Sequence, residues 1–344
     1  MIKVKIQNPI LGRNEITFRP FLYLKDMLRD YSIDITESDD YDFLFVGMHD
    51  FIDKKRTLQE SINYGLETLE DITGDYFLFD GSDSVSLMGS YEVFEKSNAI
   101  YLFKNQTLKN REDYNTPYAF NKWFFGTGSE LDLSYNIPQN MWDKIKLSNI
   151  NCGRTIFGNG IEPKMGSMQQ INPNKNIDIC AIFKADHGFC EDHKVRNDIP
   201  YSHHRKGLWD KLNTFKKYSM LTEKMPFEQY VQNLSKSKIC ISPFGMGELC
   251  FRDFEAMLFG TILLKPDQSI ITTSPNIYVE GETYIGCKLD WSDLNEKIEY
   301  IMDNFNELNE KLNHNIRNMF IEEYTHENFC MNYYNIFNNL TSVE

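Results

Sequence analysis

The residues with the clearest chemical potential lie in one segment, Cys240 to Gly260, whose sequence is CISPFGMGELCFRDFEAMLFG. Gly245 and Gly247 follow a predicted buried strand and precede a predicted helix that begins at about Glu248. Glycine allows the backbone to approach a ligand closely, and the N–H groups of a first helical turn favour an anion. The segment therefore predicts a phosphate-binding turn at the carboxyl end of a strand.

Three charged residues, Glu248, Arg252 and Glu255, are spaced four and three apart in this segment, so they share one face of the predicted helix. A carboxylate can accept two hydrogen bonds from the paired hydroxyls of a ribose or sugar, and Arg252 could offset the charge of a diphosphate. The alternative is that Glu248 caps the helix while Arg252 and Glu255 form a surface ion pair. Ligands bind at the carboxyl ends of strands in open α/β sheets, which favours the functional interpretation.

The pattern S-P-x-G-x-G-E, followed by R-x-x-E-A and a glycine ahead of an apolar strand, resembles the donor site of GT-B glycosyltransferases. The likeness covers residues 238 to 266 and is to the exostosin-type transferases and, more distantly, the retaining family that includes sucrose and glycogen synthases. It implies that Glu255 holds the ribose of a nucleotide sugar and that Gly245, Gly247 and Glu248 lie near the diphosphate and sugar. Retaining families usually have seven residues between two glutamates. Six lie between Glu248 and Glu255, so the stereochemistry stays open.

Two further donor-site candidates lie in the second half of the chain. Residues 203 to 238 hold eight Lys or Arg against three acids, and the resemblance makes Arg205 the best candidate for a basic donor-site residue. The alternative for this patch is a solvated helix face. His187 lies in a turn that follows a predicted strand and should line the cleft. With Cys190 and His193 it forms an H-x2-C-x2-H spacing, but no second ligand pair at zinc-like spacing accompanies it, so we predict no metal site.

Two turns in the first half, Gly47 to Asp50 and Asp80 to Asp83, follow predicted buried strands and should point at the same cleft. His49 or Asp83 could be the base that activates an acceptor hydroxyl, or could bind sugar hydroxyls. Asx turns at Asp80 and Asp83 and a capping role for His49 explain the same residues equally well.

Strand-like and helix-like segments alternate along the chain, which is typical of parallel α/β sheets. We predict an α/β fold of two tandem Rossmann-like domains with a cleft between them, the GT-B architecture. The predicted domains are residues 1–160 on the acceptor side, residues 161–320 for nucleotide-sugar binding, and a C-terminal helix, 321–344, that packs back on the first domain. One long helix is predicted from Trp291 to Phe320.

Composition narrows the class of protein. The chain has 344 residues, 36 Lys+Arg and 50 Asp+Glu, a formal net charge of −14 that argues against general binding to nucleic acid or anionic membranes. Seven scattered cysteines indicate reduced thiols. The N-terminus does not have the pattern of a signal peptide, and no apolar run is long enough to span a bilayer. We therefore expect a cytoplasmic protein without a transmembrane segment.

The expected function is a glycosyltransferase that moves a hexosyl or pentosyl group from a nucleotide-sugar donor to a glycan, lipid-linked or small-molecule acceptor in glycan biosynthesis. The resemblance implies that no metal or other cofactor is required. A homodimer is possible. The alternatives are a nucleotide-sugar epimerase of the same fold and a non-catalytic sugar- or nucleotide-binding module. A dinucleotide dehydrogenase is disfavoured because no G-x-G-x-x-G follows the first strand of either domain.

Overall fold

The computed structural model of the chain describes residues 1–7, 14–51, 56–115, 135–148, 172–185, 200–245 and 247–341. Within these ranges, two parallel β-sheets with helices around them form the body of the molecule, and a two-stranded antiparallel ribbon joins them. The prediction of an α/β fold with two tandem parallel sheets is confirmed. The predicted domain limit at residue 160 lies outside the described residues and stays a prediction.

The first sheet has six parallel strands in the order β2-β1-β3-β4-β5-β7. In chain order these strands are β1 (Ile2–Ile6), β2 (Ile33–Thr36), β3 (Phe43–Gly47), β4 (Asp75–Asp80), β5 (Leu102–Lys104) and β7 (Ile145–Leu147). The helices of this half are α1 (Asn14–Tyr23), α2 (Lys25–Asp30), α3 (Leu58–Glu70), α4 (Ser90–Glu95) and α5 (Gln139–Trp142), with short 3-10 helices at Met48–Asp50 and Arg111–Asn115.

Local sequence explains the central elements of this sheet. Strands β3 and β4 are apolar runs buried on both faces, as expected for parallel strands covered by helices on both sides. Helix α3 begins after Thr57, whose hydroxyl accepts from the Glu60 N–H while the Glu60 carboxylate accepts from the Thr57 N–H. This reciprocal cap satisfies two N–H groups that the helix itself cannot pair.

The second sheet has five parallel strands in the order β13-β11-β10-β8-β9. In chain order they are β8 (Ile177–Cys180), β9 (Met220–Leu221), β10 (Ser237–Ile241), β11 (Ile262–Pro266) and β13 (Ile285–Cys287). The helices of the second half are α6 (Pro200–Thr214), α7 (Phe227–Ser235), α8 (Phe251–Leu258), α9 (Leu294–Asp303), α10 (Phe305–Glu322) and α11 (His326–Thr341).

A short antiparallel ribbon joins the two halves. Strand β6 (Gln106–Leu108), which follows the first sheet's β5, pairs with β12 (Ile271–Thr273), which follows the second sheet's β11. Because its backbone hydrogen bonds run between segments more than 160 residues apart, the ribbon ties the two sheets directly to each other.

The last helix, α11, packs its aromatic side chains on one face of the first sheet. The Phe337 ring lies 5.1 Å from that of Phe43 and 5.8 Å from that of Phe77, and the Tyr333 ring lies 4.7 Å from that of Phe21. These contacts belong to one continuous apolar core that also contains side chains of the second sheet. The C-terminal helix therefore covers the first sheet, although it follows the second in sequence.

Several predicted boundaries are corrected by the structure. The helix expected to begin at about Glu248 begins at Phe251, because Cys250 is its N-cap and its N–H donates to the Asp253 carboxylate at 3.1 Å. The single helix expected from Trp291 to Phe320 is two helices, α9 and α10, that meet at Asn304. The sequence pattern does not predict six of the strands, because each has two to four residues and only its pairing partner distinguishes it from a loop: β2, β6, β7, β9, β12 and β13.

Among the described residues, no helix combines the length and the apolarity that crossing a membrane requires.

The packing of α11 gives a stability prediction. We expect Phe337→Ala to lower the free energy of unfolding by about 3–5 kcal/mol, because the change leaves a cavity among buried aromatic rings. Phe337 is 1% exposed, whereas Met331 on the same helix is 43% exposed. Met331→Ala is the control, with an expected change within about 0.5 kcal/mol. Urea unfolding measures both, and equal small losses would contradict this account of α11.

Candidate functional site

A cavity of about 380 Å³ lies between the two halves, at the carboxyl ends of strands from both sheets. Its walls are formed by residues of both halves: Asp83, Ile182, Arg205, Tyr230, Gly245, Leu249, Cys250, Phe251, Arg252 and Glu255. The structure thus brings five of the predicted site residues, Asp83, Arg205, Gly245, Arg252 and Glu255, to one cavity. Cavities at this edge of parallel sheets are where ligands bind in open α/β folds.

Asp83 comes from the first half, in the loop that follows β4. In that loop the Asp80 carboxylate accepts from the Ser82 N–H at 3.0 Å and pairs with the buried Lys104 ammonium at 2.6 Å. Burial raises the pKa of Asp80, but the Lys104 charge and hydrogen bond outweigh it and bring that pKa down to about 2. Lys104 Nζ also donates to the Ser86 carbonyl at 2.7 Å, so a buried ion pair fixes the loop that presents Asp83.

Arg205 comes from α6 and is held by backbone carbonyls of two cavity loops. Its Nε donates to the Phe244 carbonyl at 2.7 Å, and its Nη1 donates to the Lys184 carbonyl at 3.2 Å. The side chain is only 6% exposed, although it lines the cavity. Arg205 therefore presents a positive charge whose orientation is set before any ligand arrives.

The neighbouring His204 is a structural residue. Its ring stacks against those of Phe244 and Trp291, with ring centroids 5.2 and 5.0 Å away. Its Nδ1 lies 2.9 Å from the Leu289 carbonyl, and burial lowers its pKa to about 4. A neutral ring that donates from Nδ1 and accepts the Phe244 N–H at Nε2 fits these contacts. His204 thus supports the loop that receives Arg205.

Arg252 and Glu255 come from the first two turns of α8, as the spacing predicted. The Glu255 Oε2 atom accepts from the Tyr230 hydroxyl at 2.8 Å. Burial raises the pKa of Glu255, while the Tyr230 hydrogen bond and the Arg252 charge act in the opposite direction. The wall formed by α7 and α8 therefore offers one cation and one anchored carboxyl group side by side.

A buried network beneath the glycine turn holds α8 in place. The Asp253 carboxylate is fully buried, pairs with Lys265 Nζ at 2.5 Å and accepts from the Ser242 hydroxyl at 2.6 Å and from Tyr278 at 2.5 Å. Lys265 Nζ also donates to the Glu248 carbonyl at 2.6 Å. The other hydrogen-bonding positions of this buried ion pair are also occupied. The network therefore favours one path of the chain from β10 to α8.

Glu248 and Gly247 are not among the residues that line the cavity, and their predicted place near the diphosphate and sugar stays a prediction. The Glu248 Oε2 atom accepts from the Val85 N–H at 2.9 Å and from Gln106 Nε2 at 3.1 Å, so the side chain lies in the seam between the halves. A Cβ atom on Gly247 would lie 1.9 Å from the Asp83 carbonyl oxygen. Glu248 is 0% exposed, so residues of the seam enclose it.

His49 is not among the residues that line this cavity either, and its expected role in the cleft stays a prediction. It lies in the 3-10 helix after β3, with Nε2 3.1 Å from the Cβ position of Gly81, and its charge contributes to the low pKa of Asp80. Gly81, in the loop after β4, therefore lies beside the His49 ring. His187 falls outside the described residues, so its predicted place in the cleft stays a prediction.

Sequence reasoning missed five lining residues: Ile182, Tyr230, Leu249, Cys250 and Phe251. Tyr230 lies on a helix that was predicted, but its pairing with Glu255 joins residues 25 apart and has no sequence signal. Leu249, Cys250 and Phe251 were placed inside the predicted helix. The N-cap at Cys250 moves them to the start of α8, where they face the cavity.

The contact between Gly247 and Asp83 gives a prediction. We expect Gly247→Ala to destabilise the protein by at least about 2 kcal/mol, since its Cβ would overlap the Asp83 carbonyl and force the seam apart. Gly207→Ala is the matched control, because a Cβ there meets nothing within 4 Å. In the interior of α6 alanine should be neutral or stabilising by up to about 1 kcal/mol. Urea unfolding compares the two, and equal effects would refute the seam contact.

Glu248 gives a pH-dependent prediction. Burial raises its pKa from 4.5 to about 7 despite the nearby lysines, and its Oε1 atom has no hydrogen-bond partner among the described residues. The folded state therefore favours the protonated form, so wild-type stability relative to Glu248→Gln should fall as the pH rises from about 4.5 to about 7. The change should be about 3 kcal/mol at most.

The control for this experiment is Glu60→Gln in the cap of α3. The Glu60 pKa is lowered from 4.5 by hydrogen bonds from Thr57, so its contribution to stability is lost only below about pH 4.5. Wild-type stability relative to that variant should therefore stay nearly constant above this pH. Urea unfolding at four pH values between 4.5 and 7.5 measures both differences. A Glu248→Gln difference that is independent of pH would contradict a carboxyl group that titrates in the seam.

Comparisons with known proteins give similar structures only. No protein-family model matches the chain, and a search of curated proteins found no match. The similar solved structures include an alpha-glucosyltransferase in complex with UDP and a 13-mer DNA containing an HMU base, with TM-score 0.45 and 11% identity, covering 96% of this chain and 97% of that one. They also include Anabaena HepE in complex with UDP-glucose, with TM-score 0.47, 10% identity and coverage of 99% and 100%.

A putative UDP-N-acetylglucosamine 2-epimerase from Listeria monocytogenes is similar as well, with TM-score 0.41, 12% identity and coverage of 96% and 94%. The similar structures thus include an alpha-glucosyltransferase and a putative epimerase, which belong to the two enzyme classes expected from the sequence. Identities of 10–12% concern the fold alone, and with TM-scores below 0.5 the reaction has to be argued from this chain's own residues.

Proposed function

We propose that this protein is a glycosyltransferase that binds a nucleotide-sugar donor in the cavity between its two halves. The observation that carries the proposal is the composition of the cavity wall. Arg205, Arg252 and Glu255 line it from the second half, and Asp83 lines it from the first. The two arginines could bind the diphosphate of a nucleoside diphosphate, and Glu255 could bind its ribose. The second carboxylate, Asp83, belongs to the other half.

The two guanidinium groups are suited to the diphosphate. Guanidinium groups form strong, directional hydrogen bonds with phosphate oxygens and stay charged at any physiological pH. The carbonyl contacts of Arg205 orient its group before binding, which lowers the entropic cost of capturing the ligand. In this proposal the arginine pair supplies the positive charge that stabilises the diphosphate leaving group, without a metal ion.

Glu255 is suited to the ribose of the donor. A carboxylate accepts hydrogen bonds from two adjacent hydroxyls, which an isolated neutral acceptor does less well. Glu255 lies three residues after Arg252, about one turn along α8. The proposed ribose-binding and phosphate-binding groups are therefore neighbours, as the ribose and the phosphate are in a nucleotide.

Asp83 is the proposed base. It would accept the proton of an acceptor hydroxyl whose oxygen attacks the anomeric carbon, while the bond from that carbon to the diphosphate breaks and the nucleoside diphosphate leaves. Because Asp83 belongs to the first half and the arginines to the second, the transferred sugar would lie between them. The acceptor would then approach from the first half, as a glycan, a lipid-linked molecule or a small molecule.

The first test is thermal unfolding with UDP, GDP, CDP, ADP and dTDP. A ligand at about one hundred times its dissociation constant stabilises the native state by about 2.7 kcal/mol, which raises the melting temperature by several degrees. We expect one nucleotide to stand out and Arg252→Met to abolish its effect. Lys206→Met is the control, because Lys206 is exposed on α6 and pairs with Asp210.

In the second test, the protein is incubated with candidate acceptors and with nucleotide sugars that carry the base of the most stabilising nucleotide. Release of the nucleoside diphosphate is measured. Acceptor-dependent release that Asp83→Asn lowers at least tenfold is the expected result. Conversion of the sugar without any acceptor would indicate an epimerase instead. A panel that stays flat for nucleotides and for intact nucleotide sugars would overturn the enzyme proposal and favour a non-catalytic module.

A further inference from the structure

Tyr230 also lines the cavity, and the proposed function gives it no role. It lies on α7, and its hydroxyl reaches across to α8, where it donates to Glu255 Oε2 at 2.8 Å. Both side chains line the cavity and both are half-buried. The phenol therefore contacts the same carboxylate that a ligand in the cavity would contact.

This hydrogen bond restricts the carboxylate in a specific way. A glutamate side chain has three rotatable bonds, and fixing it costs conformational entropy that a ligand otherwise has to supply. With Oε2 held by Tyr230, the carboxylate has fewer orientations, and a carboxylate has enough acceptor sites to bond a ligand hydroxyl as well. Burial raises the pKa of Glu255, and the Asp253 charge on the same helix also raises it. The Tyr230 hydrogen bond and the Arg252 charge lower this pKa.

We propose that Tyr230 is a positioning residue that makes the cavity selective for ribonucleoside over 2′-deoxyribonucleoside diphosphates, by holding the Glu255 carboxylate for the ribose hydroxyls. This inference rests on the proposed donor site. A site that is built to bond a hydroxyl rejects the analogue that lacks it, because the carboxylate then loses a partner inside a partly dehydrated cavity. Selectivity of this kind depends on an acceptor that is already in place.

The chain offers a matched control for the phenol itself. Tyr218 donates to Glu299 Oε2 at 2.8 Å, the same kind of bond at the same length, but neither residue lines the cavity. A loss of general stability from removing a phenol–carboxylate bond should appear in both Tyr218→Phe and Tyr230→Phe. A change in ribose selectivity should appear only in Tyr230→Phe.

The experiment measures dissociation constants by calorimetry for the best-binding nucleoside diphosphate and for its 2′-deoxy counterpart. For the wild type and for Tyr218→Phe we expect the ribo form to bind at least about tenfold more tightly. In Tyr230→Phe the ratio should fall at least about threefold, with the affinity for the deoxy form unchanged within about twofold. Glu255→Gln should lower the ratio further, since it removes the acceptor charge.

The outcomes separate this inference from the proposed function. If Tyr230→Phe weakens both nucleotides equally, the phenol has only a structural role and the inference is wrong, while the donor site stands. A wild-type preference for the deoxy form, or none, would overturn the inference as well. If no nucleoside diphosphate binds the wild type, the proposed function fails, and the inference fails with it.

Discussion

The close approach of Gly247 to the backbone of Asp83 is the constraint on which the rest of the site depends. With hydrogen in place of a side chain, the glycine turn of the second half comes directly against the loop after β4 in the first half. The Leu249 N–H then reaches the Asp83 carbonyl at 3.2 Å, and the Glu248 carboxylate accepts from Val85 and Gln106. Glu248 thus connects the two halves, while Asp83 and Leu249, on either side of the same contact, line the cavity.

Buried ion pairs hold both sides of that contact. Lys104 with Asp80 fixes the first loop, and Lys265 with Asp253 fixes the glycine turn and the start of α8. Burying an isolated charge would cost several kcal/mol in lost hydration. Each ion pair offsets this cost because hydroxyl and carbonyl groups also form hydrogen bonds with its charged atoms. The same requirement leaves each loop one arrangement, which gives a cavity wall of defined shape.

The cavity divides its chemistry between the halves. The second half contributes the cations and the anchored carboxyl group, on elements braced by Tyr230, His204 and the Asp253 network. The first half contributes Asp83 alone among the described lining residues. The ribbon of β6 and β12 and the cover of α11 on the first sheet join the halves at two further places, so the position of Asp83 relative to the arginines is supported from several directions.

Residue order along the chain was enough to establish the two parallel sheets, because buried strands and amphipathic helices leave strong local hydrophobic patterns. It was also enough to select Asp83, Arg205, Gly245, Arg252 and Glu255, which line one cavity and whose roles stay predictions. Asp83 and Gly245 follow parallel strands, whose carboxyl ends share one edge, and helix spacing with the resemblance to GT-B donor sites indicated the other three. Tertiary structure alone decided that Glu248 and Gly247 belong to the seam, that His49 stays off the wall and that Tyr230 joins Glu255. Each of those depends on a partner more than 20 residues away, and contacts at that separation have no periodicity in sequence. The buried carboxyl group of Glu248 shows the physical reason most plainly, since an acid four residues before an arginine has the same sequence pattern on a solvated helix and in a buried interface.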